Sequence, residues 1–253
     1  MPLIPSLIIL VFILVALLAP LIAPHSATQG SLSEKYIPPM WAKGGNSDYV
    51  LGTDKLGRDI LSRLIWGARI SLQVSLFSVL AGGVVGSVLG LVAGYWGGWA
   101  DAVIMRAADV ALALPGIILA FVLAMVLGPS FTNVIIIVGF LLWARYARQA
   151  RGEVLSIKEK DYVTLARAAG CSDLRIIIWH VFPNVVNTLV VLATLQIGWV
   201  IILESSLSFL GVGLPPPQPA WGSMVADGRG LIATAWWVSL FPGLAIAVTV
   251  LAL

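Results

Sequence analysis

Long uncharged stretches alternate with short polar ones along this chain. Ile4–Ala23, Ile70–Ala100, Val110–Ala144, Ile176–Leu203 and Gly230–Leu253 contain no Asp, Glu, Lys or Arg. A helix needs about 20 mostly apolar residues to cross a bilayer. Val110–Ala144 is too long for one helix, and Gly128-Pro129-Ser130 punctuates it as a turn. The pattern therefore predicts an all-α integral membrane protein with about six spans, near 4–23, 70–94, 103–127, 131–149, 184–204 and 235–253. All belong to a single transmembrane domain over 1–253. The fifth span is expected to start at Pro183, since proline suits a first helical position. The first stretch lacks a basic leader and exceeds a usual signal-peptide core, so it reads as a retained span.

Composition agrees. Hydrophobic residues make up 59%, charged residues 11%, and mean hydropathy is +0.99. A soluble domain carries about 25% charged residues, so a soluble single domain is excluded, as is a disordered chain. The net charge of +3 is scattered, with no cluster of Lys and Arg that would mark a nucleic-acid partner. Cys171 is the only cysteine, so no intramolecular disulfide forms.

Six spans place both termini on one side. Loops 24–69 and 205–234 then share the opposite side, while 95–102 and 150–182 share the side of the termini. Positive charges divide almost equally between the sides. Arg145, Arg148 and Arg151 crowd one span end, and loop 24–69 is long enough to translocate with less regard for charge. Both points favour a cytoplasmic loop 150–182 and a cytoplasmic N-terminus.

Gly82, Gly86, Gly90 and Gly94 recur every four residues, forming one stripe along the second span. Small residues at that spacing let helices approach closely in lipid, so the stripe is expected to be a packing face. Catalytic patterns are missing: the chain has no G-x-x-x-x-G-K-[ST], no H-E-x-x-H and no G-x-S-x-G, and only two histidines, His25 and His180. We therefore expect no enzyme activity, no metal site and no cofactor on this chain.

The polar segment 159–183 is more informative. Asp161 suits an N-cap, and Tyr162, Leu165, Ala166 and Ala169 fall on one face of a short helix. Gly170 supplies a left-handed stop, and Ser172 can cap a following helix. A face of small residues around one tyrosine suits close docking into a protein groove.

This segment resembles the EAA loop of ABC importer permeases, E-A-A-x-x-x-G-x9-I-x-L-P. Ala166, Gly170 and Pro183 match it, while Thr164, His180 and Phe182 replace the glutamate, isoleucine and leucine. Leu51-Gly52-Thr53-Asp54-Lys55-Leu56-Gly57-Arg58-Asp59-Ile60-Leu61-Ser62-Arg63 resembles the L-G-T-D-x-x-G-R-D-x-x-S-R stretch of dipeptide/oligopeptide/nickel permeases. Gly67–Leu72, Gly90–Tyr95 and Glu204–Gly213 are similar to further stretches of that family. The collinear resemblance points to its second, C-type, inner-membrane subunit.

The resemblance implies a type I importer permease fold with a cytoplasmic coupling helix. Tyr162, Leu165, Ala166, Arg167, Ala169, Gly170 and Asp173 would couple it to an ATPase. It further implies a heterodimer with a second, homologous permease, two ABC ATPase subunits that bind ATP and Mg, an external substrate-binding protein, and a bacterial or archaeal inner membrane. Peptides are the implied substrate, with nickel or another small solute as alternative. A polar tail is expected beyond Leu253. The rival class, a secondary transporter or channel, would need ionisable groups within spans.

Those groups are few: Arg106, Asp109 and Glu204. Arg106 and Asp109 are three apart and are expected to pair. Glu204, beside Ser205 and Ser206, either fixes the turn into the outer loop or faces the external mouth and meets a peptide's amino terminus. Loop 24–69 is expected to be an ordered cap, helical from Lys55, with an exposed Asp59–Arg63 pair.

Overall fold

A computed structural model describes residues 3–253. The described residues are helical or irregular, with one isolated bridge between Thr53 and Asp59. In chain order the α-helices are α1 (Leu3–Ile22), α2 (Ile60–Trp96), α3 (Gly98–Ala113), α4 (Gly116–Leu127), α5 (Phe131–Ile157), α6 (Asp161–Ala168), α7 (Asp173–Ile176), α8 (Phe182–Phe209), α9 (Trp221–Gly228) and α10 (Trp237–Ala252).

Three boundaries differ from those the sequence suggests. The stretch 103–127 is two helices, α3 and α4, meeting at 91°. Pro115 is the cause: it bars Leu114 from helical geometry, and Leu114 is extended at φ −85°, ψ 137°. The fifth apolar stretch does not start at Pro183. A single apolar helical run covers Asp173–Phe209, with a π turn at Ile177–Val181 just before the proline. Proline has no N–H for the ladder; the Asn184 side-chain amide donates to the His180 carbonyl at 2.7 Å. Lastly, α10 has 16 residues, fewer than the roughly 20 a straight crossing needs. Four helical runs are long and apolar enough to cross a membrane, and the bent α3–α4 pair makes a fifth.

The chain divides into two compact units, whose boundaries fall within helices. One comprises residues up to 76, with 123–134 and 198–253. Its organising feature is the loop before α2. Asp54 accepts from the backbone N–H groups of Leu56 and Arg58 at 2.8 and 3.0 Å, and from Arg58 Nε at 2.7 Å. Asp59 caps α2, accepting from Ser62 N–H at 2.9 Å and Ser62 Oγ at 2.6 Å. Helix α2 therefore starts at Ile60, not at Lys55. The expected exposed Asp59–Arg63 pair is not made: both side chains are buried, and Asp59 meets Ser62 and, at 3.6 Å, His25. Arg63 Nε instead lies 3.6 Å from Asp54, and its guanidinium donates to the Ala27 carbonyl.

Two tryptophans tie this loop and α2 to the C-terminal helices. Trp237 Nε1 donates to the Thr53 carbonyl at 3.1 Å, and Trp221 Nε1 donates to that of Leu64 at 3.0 Å. Lys55 meets Asp227 at 2.6 Å. Tyr49 donates to Glu34 at 2.7 Å; that bond, with burial, pushes the Tyr49 hydroxyl up to about 12. The loop is thus ordered by its own polar groups, and limited proteolysis should cleave 24–55 slowly. Rapid cleavage throughout that segment of the assembled protein would contradict this.

The other unit comprises 77–122 and 135–197. Within it the glycine stripe of α2 lies against α5. A Cβ on Gly82 would stand 2.5 Å from the Gly139 carbonyl oxygen, and on Gly94 2.7 Å from Val154 Cβ. Gly86 and Gly90 approach the Trp143 and Ala147 carbonyls more closely still. Each glycine four residues on meets a position four residues on in α5, so the two helices interdigitate along their i±4 rows. Backbone cannot yield as a flexible side chain can. We expect Gly86→Ala to destabilise the subunit by about 1–3 kcal/mol or more, seen as a lower Tm in detergent; an unchanged Tm would refute the close contact.

Candidate functional site

The short helix α6 sits where the sequence places it, but its first residue is Asp161 and Lys160 is the N-cap. Asp161 still favours the helix, as a carboxylate at the positive end of its dipole, with Arg167 in the last turn. The helix ends in a complete Schellman motif. Gly170 N–H bonds the Arg167 carbonyl at 3.0 Å, and Cys171 N–H bonds that of Ala166 at 3.1 Å. Gly170 has φ +81°, the left-handed value this turn requires.

Burial separates two faces of α6. Val163 is fully buried and is the helix's own anchor. Tyr162 is 42% exposed, Leu165 is 68% exposed, and Ala169 is exposed too, while Ala166 is half-buried at the margin. The apolar face of the helix is therefore open in this chain. Arg167 and Asp173 are exposed as well, but both are engaged by Tyr95. Asp173 accepts from Tyr95 Oη at 2.7 Å, and the Arg167 guanidinium lies 5.8 Å from the Tyr95 ring centre.

Two more links converge on this end of the unit. Lys158 Nζ donates to the Gly94 carbonyl at 3.1 Å, and Arg151 forks onto Asp101 with one bond at 2.6 Å. Sequence spacing missed Tyr95, Lys158 and the Arg151–Asp101 pair, because their partners lie 50 to 78 positions away in the chain. The only local signal was the accumulation of charge at the end of α5.

The structure rearranges the remaining candidates. Asp109 pairs with Arg148 at 2.7 Å, not with Arg106. Arg106 instead lines an apolar cleft of about 790 Å³ with Leu114, Phe140 and Trp143. Glu204 does not face an open mouth: it is fully buried, and Ser208 Oγ donates to it at 2.7 Å. Ser205 is buried as well, and half-buried Ser206 bonds back to the Ile202 carbonyl at 2.7 Å. A Cβ on Gly222 would collide with the Ser205 carbonyl, so α9 seals α8 at this point. The arrangement favours the structural role of Glu204 over a place on an open path.

A mostly helical chain with several helices apolar and long enough to cross a membrane, and a short helix offering an apolar face from a polar loop, defines the class as a multi-helix membrane component. Residues 86–253 match the family described as "Binding-protein-dependent transport system inner membrane component". The chain belongs to that family, and is an ABC importer permease rather than an enzyme. It is similar to the glutathione transport system permease protein GsiD of Pectobacterium atrosepticum, 45% identical over 83% of this chain and 70% of that protein. The di/tripeptide transport system permease protein DppC of Pseudomonas aeruginosa is 44% identical over 85% of this chain and 71% of its own length. The dipeptide transport system permease protein DppC of Haemophilus influenzae is 39% identical over 89% and 76%.

Proposed function

We propose that this chain is the C-type permease of an ATP-driven importer of short peptides. The three relatives carry glutathione, di- and tripeptides, and dipeptides in their names. These are short peptides bearing both a cation and carboxylates, and that shared chemistry supports a zwitterionic peptide as cargo. In this reading the chain lines half of a central path with a second, similar permease. Two ATPase subunits bind ATP and Mg, and an external binding protein delivers the peptide. In this reading the chain crosses a bacterial or archaeal inner membrane six times, with the bent α3–α4 pair as one crossing, the 16-residue α10 as the sixth, and both ends of 3–253 on the cytoplasmic side. Loops 24–59 and 210–236 then face outward, and α6 faces inward to the ATPase.

One observation carries the reading: α6 leaves Tyr162, Leu165 and Ala169 uncovered while Val163 holds it in place. That combination supports a docking role, with an ATPase groove as the occupant. The test is to purify the subunit with the ATPases and binding protein encoded beside it, reconstitute the complex, and measure uptake of a labelled dipeptide, glutathione and Ni²⁺. ATP-dependent uptake of a peptide is expected. Uptake of Ni²⁺ alone would move the substrate to the nickel alternative. A subunit that transports without any ATPase would instead be a secondary transporter or channel.

A further inference from the structure

We infer that Tyr95, at the end of α2, is a positioning residue that clasps the coupling helix, so that α6 and α2 move as one body. The inference rests on the proposed role of α6 as an ATPase dock. A helix of eight residues is too short to be stable alone, and one buried side chain, Val163, does not fix its direction. What fixes it lies on either side of the Schellman turn. Arg167 precedes the turn and lies over the Tyr95 ring at 5.8 Å; Asp173 follows the turn and accepts from Tyr95 Oη at 2.7 Å. Tyr95 thus holds both arms of the turn with two different parts of one side chain.

Tyr95 is itself well anchored. It is buried, with Trp96 edge-on to its ring at 5.4 Å, and the preceding Gly94 carbonyl takes the Lys158 ammonium. Helix α2 continues from there into the glycine stripe that meshes with α5. A displacement of α6 is therefore passed to α2 through the Tyr95 contacts with Arg167 and Asp173.

The experiment uses the reconstituted full complex and reads two quantities, peptide uptake per ATP hydrolysed and yield of assembled complex. Tyr95→Phe removes the hydroxyl but keeps the ring beside Arg167 and Trp96. Asp173→Ala removes the acceptor from the other side. Each should lower uptake per ATP at least about fivefold, the lower range of coupling between two sites, with normal assembly. The double variant should be no worse than either single, since both delete one bond. Asp173→Asn, which retains an acceptor oxygen, should restore the ratio. An unchanged ratio in both single variants overturns the inference and leaves the permease reading intact. So does loss of assembly in both, which would make Tyr95 a fold anchor only. A wild-type complex without ATP-dependent uptake would sink the permease reading itself, and this inference with it.

Discussion

Asp54→Ala will abolish accumulation of the folded subunit. Asp54 is 3% exposed and faces two arginines that are equally hidden, Arg58 at 5% and Arg63 at 2%. It bonds Arg58 Nε and two backbone N–H groups, and its carboxylate is 3.6 Å from Arg63 Nε. Removing one member of a buried charge group costs about 3–5 kcal/mol, because the partners keep the desolvation penalty without the attraction. Here two guanidiniums lose their carboxylate, and Asp227, 3.9 Å from Arg58, is too distant to replace it well. A typical domain has only about 5–15 kcal/mol in total. Asp54→Asn keeps an acceptor for the turn and should fall between wild type and alanine. Membrane-fraction yield and Tm in detergent measure the series. A stable Asp54→Ala subunit with the wild-type Tm would mean that the buried charges do not hold the loop.

That network also marks how far the sequence could be read. Its existence was legible: acids and arginines at 54, 58, 59 and 63, among small residues and aromatics, predicted an ordered loop. Its wiring was not. Pairing Asp59 with Arg63 assumed a helix from Lys55, whereas Asp59 stands at the cap and turns its carboxylate back on Ser62. The same limit applies to Asp109, which meets Arg148 from 39 positions away instead of its neighbour Arg106. Local spacing ranks nearby partners and is blind to distant ones.

Features generated by local rules fared better. The four-residue glycine period and the Gly170 stop both depend on neighbours within one or two turns, and both have the geometry that local rules require. Pro115 was the local signal overlooked. An unbroken apolar run hid it, because hydrophobicity reports the need to be out of water and not the direction of the chain. Glu204 stayed open between two roles for a different reason. A carboxylate near a span end can face the path or the protein interior, and only the packing of α9 through Gly222 decides between them.

Leu165→Glu should disconnect the ATPases while leaving the permease itself intact. Leu165 is 68% exposed, so the substitution removes almost no packing within this chain. Leucine and glutamate are comparable helix formers, and surface changes of this kind stay within about 0.5 kcal/mol. The Tm of the isolated subunit should therefore hold. In the complex the same side chain would have to leave water. A charge buried there without a partner adds a desolvation penalty to the lost apolar contact. Central residues of a docking patch cost at least about 2 kcal/mol when removed, which is about thirtyfold in affinity. ATPase retention on the purified subunit should drop at least that far, and ATP-driven uptake should vanish with it. Leu165→Met, similar in volume and apolar, should retain both. Val163→Ala provides the inverse case: its fully buried side chain should cost the permease stability before it affects docking. Full ATPase retention by the Leu165→Glu subunit would show that the open face of α6 is not where the ATPase binds.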